Sequence, residues 1–375
     1  MITGHAYPWD VLGDPEFPDR AHAAGVSTVA LAAAYHSVRA ATPLHPDRAL
    51  VDARYAALYR PVREPVWAGR RLRPVEPDWM STPDSYGLAA EALRAAGLAV
   101  SAWIVLTHNT RLGTECPDVA VVNCFGERYP YALCPSWPEV REYAATLAAE
   151  AAAGADAVSL EACGQLGLTH QSHHEKTDGA YSPAATRWLS VCCCPACRRG
   201  WTDRGLDPSE VVARLRAAVR EDTDPVPGTR PAAAAHPSGA EPLPGEAELL
   251  ATRHAAADEL RAAVLAGLDV PVTLHAHPDP WATGSSPGLT EAAVLDVSAL
   301  VVPAWPTDPS TADVVVHAAR TGLPVDAYVT VLPPADPVAL PDHWRRLRSA
   351  GATGAALYHL GLAPRSRQAL FRAFD

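Results

Sequence analysis

The stretch Asp156-Ala-Val-Ser-Leu-Glu161 decides how this chain is read: a short apolar run that ends in a carboxylate. A run of this length reads as a strand of a parallel sheet, buried on both faces. Behind it comes a polar loop holding His170 and His173-His174-Glu175-Lys176, which closes on Cys192-Cys193-Cys194-Pro-Ala-Cys197. A carboxylate at the C-terminal end of a strand, followed by a loop dense in ionisable groups, is how a (β/α)8 barrel presents catalytic machinery.

Outward from that strand the same pattern repeats. Apolar runs at 2–9, 27–34, 98–106, 156–161, 270–277, 299–305, 324–332 and 355–359 predict eight strands. Helical patterns are expected between them at 15–25, 83–96, 208–220, 246–267, 311–321 and 342–350, with a last helix at 366–374. From Pro138 another helix is expected, with Val140, Tyr143, Ala144, Leu147 and Ala151 on one face, a spacing suited to packing on a sheet. Strict alternation implies one parallel sheet, and eight units close it into a TIM barrel. A doubly wound sheet is disfavoured because no Gly-rich phosphate turn follows the first strand. The expectation is a single barrel over 1–375, with an Arg/Pro/Trp-rich loop up to Pro83 and a flexible Pro/Ala-rich insertion at 222–245.

Composition narrows the partners. A net charge of −11 argues against binding a nucleic-acid backbone, which needs clustered Lys and Arg. No run reaches the roughly 18 apolar residues of a membrane span, and the N-terminus lacks a basic start and an apolar core. A cytoplasmic location is expected, where eight cysteines mean metal or free thiols more often than disulfides. Homo-oligomerisation is compatible with this composition.

In a barrel the strand C-termini converge on one pocket. They would bring together His5, Tyr7, Asp10, Tyr35, His36, His108, Asn109, Glu161, His275, His277, Asp279, Trp305, Tyr358 and His359. Arg39, His173, His174, Glu175, Lys176 and Trp281 would close over them from the loops. Aromatic rings mixed with polar groups suit a sugar, whose apolar faces lie on the rings while its hydroxyls take hydrogen bonds. Glu161 ends an apolar strand, where burial raises a carboxyl pKa and fits it for general acid work. His275-x-His277 places two imidazoles on one strand face, which leaves open a barrel metallo-enzyme, hydrolase or sugar isomerase. Cys192, Cys194 and Cys197 supply three thiolates at C-x-C-x-x-C spacing, and tetrahedral zinc needs a fourth ligand. Cys134, in the preceding loop, is the choice for it, with Cys163 and Cys193 as competitors.

Cys134-Pro-Ser-Trp-Pro-Glu-Val-Arg141, the strand ending in Glu161 and the later Cys192-x-Cys194-x-x-Cys197 together resemble the family 42 β-galactosidases and related hypothetical glycosyl hydrolases. The chain is also similar to an alanine-rich actinobacterial group of such proteins, through Tyr35-His36-x-x-Arg39, Tyr131-Ala-Leu-Cys134-Pro135, Leu160-Glu161-Ala-Cys-Gly164 and His173-His174-Glu175-Lys176. The resemblance is specific between about Leu133 and Cys197. It implies a structural zinc on Cys134, Cys192, Cys194 and Cys197, and Glu161 as catalytic acid/base. Two departures stand against it. Leu160 occupies the place of the family's Asn, and the seventh strand, within Asp326-Ala-Tyr-Val-Thr-Val-Leu-Pro-Pro334, carries no glutamate at its end. The expected activity is hydrolysis of a small carbohydrate or glycoside, with Glu175 or Asp279, failing those Asp10, as second carboxylate. A sugar-binding barrel without hydrolysis is the non-enzymatic alternative.

Overall fold

The computed structural model describes residues 1–169, 177, 180–222 and 243–374. Eight parallel strands close on themselves: β1 (Ile2–Ala6), β2 (Thr28–Tyr35), β3 (Ala99–Val105), β4 (Ala157–Glu161), β5 (Val272–His275), β6 (Ala299–Pro303), β7 (Val325–Thr330) and β8 (Gly354–Tyr358). β1 joins the two ends of the sheet, pairing Thr3 with Thr28 on β2 and Ile2 with Ala355 on β8. Helices cover the outside, among them Ser85–Ala95, Pro138–Ala151, Glu246–Leu265, Thr311–Ala319 and Leu340–Ser349. The expected (β/α)8 barrel is the fold found.

Two expected elements differ in detail. β1 stops at Ala6 instead of running to Trp9, because Pro8 opens a one-turn helix, Pro8–Val11. Proline is pre-set for that first helical position, and the Asp10 carboxylate accepts from the Tyr7 amide at 2.8 Å to hold the turn. The segment leading to Pro83 is more than loop. It carries a hairpin, Val38–Ala41 with Leu50–Ala53, and a short strand, Ala57–Leu58, antiparallel to the end of β2. Residues 223–242 of the expected insertion lie outside the described residues.

The barrel interior is filled in layers. His5 of β1, Trp103 of β3, His275 of β5 and Tyr328 of β7 meet at the axis. Ring centroids lie 4.7 Å apart for His5 and Trp103, 4.8 Å for His5 and Tyr328, 5.2 Å for His275 and Tyr328, and 5.7 Å for His5 and His275. Four side chains from alternate strands is how an eight-stranded barrel fills its centre, although branched aliphatics are the usual choice. Small neighbours make room for these rings. Ala356 packs beside Tyr328 with Val301, and Ser159 hydrogen-bonds His275 Nε2 at 3.0 Å. The even strands β2, β4 and β8 end in Tyr35, Glu161 and Tyr358, towards the barrel mouth.

Close backbone approach is required where the helix Thr110–Glu115 meets the hairpin of Ala120–Val122 and Arg128–Leu133. A Cβ on Gly113 would lie 1.9 Å from the Pro130 carbonyl oxygen. Gly113→Ala is therefore expected to cost about 1–3 kcal/mol by overpacking. The result should be a lower urea midpoint with an unchanged slope; an unshifted midpoint would show that the hairpin yields freely.

Candidate active site

Glu161 is the last residue of β4 and only 3% exposed. The Trp103 indole donates to its Oε2 at 2.8 Å. Burial pushes the carboxyl up to about 7, and the Trp103 hydrogen bond opposes only part of that rise. Among the described residues no second carboxylate and no cation contributes to the shift. The Tyr35 and Tyr328 hydroxyls are raised by burial, and the Glu161 charge adds to both. Burial likewise takes the Tyr358 hydroxyl up to about 12, with contributions from Glu161 and Asp10.

On the β1 and β8 side, Tyr7 stacks on Trp9 at 4.4 Å and on His359 at 4.3 Å, and meets Tyr35 edge-on at 5.0 Å. Asp10 is 3% exposed, and burial raises it to about 7 against the Tyr7 amide bond, which lowers it. Its Oδ2 lies 3.7 Å from His359 Nδ1. Burial depresses His5 to about 3 and takes His275 and His359 well below the ordinary imidazole range, so all three rings are neutral near pH 7. Trp305 packs on Tyr358 at 4.6 Å and Tyr328 at 5.7 Å. The structure thus brings together His5, Tyr7, Asp10, Tyr35, Glu161, His275, Trp305, Tyr358 and His359.

Other expected residues stand elsewhere or serve the fold. His36 stacks between Tyr35 and His108, 4.2 Å from each. Asn109 caps the helix Thr110–Glu115, its Oδ1 accepting from Leu112 and its Nδ2 donating to the Tyr143 hydroxyl. Arg39 is exposed on its hairpin, 3.4 Å from Asp52. Asp279 accepts from the Trp281 amide at 3.0 Å and faces Arg187 at 3.8 Å, and its amide donates to His277 Nδ1. Trp281 packs edge-on to Trp188 beneath Arg187 and Arg253. His170, His173, His174, Glu175 and Lys176 lie outside the described residues.

Trp103 and Tyr328 belong to this site although the strand ends did not point to them. The signal that could have found them is the barrel's own layering. An aromatic two residues inside the end of β3 or β7 projects to the axis beneath the mouth.

A second cluster lies in the loops after β3 and β4. Cys134, Cys192, Cys194 and Cys197 are buried, and their sulfurs lie within 4.8 Å of one another. Cys134 Sγ is 3.6 Å from that of Cys197 and 3.8 Å from that of Cys194. Four sulfurs at about 2.3 Å around a tetrahedral zinc stand roughly 3.8 Å apart, so the spacing fits one ion. Gln165 Nε2 approaches the sulfurs of Cys134 and Cys197 at 3.7 and 3.9 Å, and the Ser136 hydroxyl lies 3.1 Å from Cys197. Cys163 and Cys193 stand outside the group.

No family model and no curated protein matches this sequence. Solved structures do match in fold. The catalytic domain of a beta-amylase from Paenibacillus polymyxa aligns with a TM-score of 0.57 at 14% identity, over 100% of this chain and 97% of its own. Alpha-L-fucosidase isoenzyme 2 from Paenibacillus thiaminolyticus gives 0.56 at 13% identity over 99% of this chain, which spans 48% of the fucosidase. The beta-galactosidase from the psychrophilic Marinomonas ef1 gives 0.52 at 13% identity over 100% of this chain, which spans 58% of the galactosidase. The likeness is one of barrel architecture. Among the described residues no helix is long and apolar enough to cross a membrane.

Burial of Glu161 has a consequence for stability. A carboxyl raised from an ordinary value near 4.5 to about 7 in the fold makes its full contribution below the unfolded value and loses it as pH rises to 7. The loss is on the order of 3 kcal/mol. Glu161→Gln lacks this titration, so relative to the parent it should gain stability between pH 5 and pH 8. Urea unfolding at both pH values checks this; an equal stability difference at the two would mean that Glu161 is not desolvated.

Proposed function

We propose that the chain is a glycoside hydrolase acting on a small carbohydrate or glycoside, with Glu161 as its general acid/base. The observation that carries this reading is a buried carboxyl, raised to about 7, at the C-terminal end of β4. It stands among Trp103 and the tyrosines at positions 35, 328 and 358. A proton donor poised near neutrality suits protonation of a glycosidic oxygen. Ring faces beside hydroxyl donors suit a sugar's alternating apolar and polar surfaces. The glycoside hydrolases of similar fold raise the prior for carbohydrate chemistry, by analogy alone.

A second carboxylate from a neighbouring loop would complete such a reaction. Glu175 and Asp279 are the carboxylates of the sequence reading, and Asp279 already caps a turn and faces Arg187. For the metallo-enzyme alternative, His275 Nε2 bonds Ser159, and His277 Nδ1 accepts from the Asp279 amide. Among the described residues the four cysteines are the one group of three or more potential ligands at metal-binding separation. A sugar-binding barrel without hydrolysis draws support from the fact that, among the described residues, no other carboxylate contributes to the shift of Glu161.

The cysteine cluster is the basis for a structural zinc. Four thiolates would leave no open position, and the ion would pin the loops after β3 and β4 together. Gln165 and Ser136 would hydrogen-bond the sulfurs, as outer partners of metal ligands do. Burial lowers the Arg253 guanidinium to about 10, opposed first by Asp279 and then by Cys197 and Cys192, and its Nη1 has no hydrogen-bond partner. It would meet part of the net negative charge of a four-thiolate site.

Two measurements test these readings. Glu161→Gln removes the proton donor and keeps the shape. Turnover of an unactivated glycoside should fall by a factor on the order of 10² to 10⁴, and a glycoside with a good leaving group should be affected much less. Near-parental turnover on both would refute the assignment. Elemental analysis should find about one zinc per chain, lost together with thermal stability in Cys194→Ser; metal-free parent protein of full stability would remove zinc from the account.

A further inference from the structure

Two side chains at the β1–β8 edge of the barrel mouth carry buried polar atoms without hydrogen-bond partners: both ring nitrogens of His359, and Asp10 Oδ1. Leaving such groups unmade is expensive, so a cluster of them marks a place built for something else. Their arrangement is ordered. Asp10 Oδ2 is fixed by the Tyr7 amide at 2.8 Å and stands 3.7 Å from His359 Nδ1. His359 lies flat on Tyr7 and 6.2 Å from the Trp103 ring, whose indole holds Glu161. Behind Asp10 there is no room. A Cβ on Gly361 would lie 2.1 Å from the Asp10 Cγ, so this glycine is what lets the carboxylate reach the imidazole.

We propose that Asp10 and His359 are the second acid–base group of the pocket, a carboxylate-backed imidazole that takes the proton of an attacking water, so that hydrolysis inverts the anomeric centre. This rests on the glycosidase reading above. An imidazole with a carboxylate behind Nδ1 keeps its proton on that side and leaves Nε2 as acceptor, the orientation a general base requires. Catalytic hydrogen bonds are often long before substrate binds, which accommodates the 3.7 Å separation. Retaining enzymes hold their two carboxyls about 5 Å apart, whereas inverting ones leave room for a water.

The step balances. The water oxygen bonds the anomeric carbon as the bond to the leaving oxygen breaks. Glu161 gives its proton to that oxygen, and His359 Nε2 takes one from the water. The resulting imidazolium is stabilised by Asp10, and after cleavage it releases its proton to solvent while Glu161 takes one back. Asp10 feels Tyr358 and His359 from β8 and its flank, Tyr7 from its own turn, and Asp14, Arg20 and Arg48 at longer range.

The test starts with the parent protein and a panel of 4-nitrophenyl glycosides and glycosyl fluorides, reading the first-formed sugar by proton NMR. An inverted anomer is expected; a retained one overturns the inference and leaves Glu161 as acid/base intact. Asp10→Asn, which keeps an acceptor for the Tyr7 amide, and His359→Asn should each slow hydrolysis of a glycosyl fluoride by about 100-fold. They should also shift the acidic limb of the kcat/KM profile, which a purely structural loss would leave in place. Glu161→Gln should spare the fluoride. If Asp10→Asn and His359→Asn stay within threefold of the parent while Glu161→Gln behaves as an acid knockout, the inference alone fails. If Glu161→Gln has no effect, or the parent turns over nothing on the panel, the glycosidase reading fails and the inference with it. Should either variant unfold, the anomer formed by the parent decides.

Discussion

The Trp103 indole donating to Glu161 at 2.8 Å is the contact on which the pocket depends. Among the described residues the carboxyl has no cation to answer it, and a buried anion without one is costly. A neutral donor supplies one directed bond without bringing charge. That keeps the carboxyl in place while leaving it protonated over much of the neutral range. Trp103 can do this because it reaches the axis from an odd-numbered strand, one layer beneath Glu161, where His5, His275 and Tyr328 hold its level. Alanine-rich strands supply the volume for such large rings: β2 reads Thr-Val-Ala-Leu-Ala-Ala-Ala-Tyr and is buried along nearly all its length. The composition of the strands and the chemistry of the site are thus one constraint. An aliphatic layer at this level would leave Glu161 without its donor.

The cysteine cluster bears on the same site from outside. The Cys134 amide bonds Val119 and the Cys193 amide bonds Val122, so both cysteine segments are stitched to one stretch beside the hairpin of the β3 loop. Thr107, just past β3, donates to the carbonyls of Ala162 and Gly164 beyond Glu161. The chain just beyond the carboxyl is therefore held from the β3 side. An ion at the four sulfurs would convert that set of weak contacts into a fixed one, because its binding energy enters folding directly.

Much of the barrel was legible because its strands are buried on both faces and so appear as uninterrupted apolar runs. Glu161 was legible for the same reason: it is a carboxylate ending such a run. The cysteine spacing carried its own geometry. What the sequence hid was registration between distant segments. Trp103 and Tyr328 read as ordinary strand aromatics until β3 and β7 are placed on opposite sides of one axis. Asn109 and Asp279 show the converse. Side chains of Asn and Asp at element ends also cap helices and turns, and here Leu112 and Trp281 take their oxygens. Position at a strand end does not by itself separate these uses.

The electrostatics around Glu161 also bear on how it would act. Holding Glu161 near 7 rather than near 4.5 corresponds to a penalty of about 3 kcal/mol for ionising it in isolation. In glycoside cleavage the carboxyl does not ionise in isolation. It loses its proton to the leaving oxygen as positive charge gathers on the sugar ring. Opposite charges 4 Å apart attract by about 4 kcal/mol at an effective dielectric of 20, which is enough to offset the burial penalty. A pocket that resists a lone anion thus tolerates an ion pair that forms and vanishes with the transition state. Ground state and transition state are then distinguished by the same burial that keeps the proton on Glu161. That differential is what acceleration requires. A cation fixed beside Glu161 would remove it by ionising the carboxyl before substrate arrived.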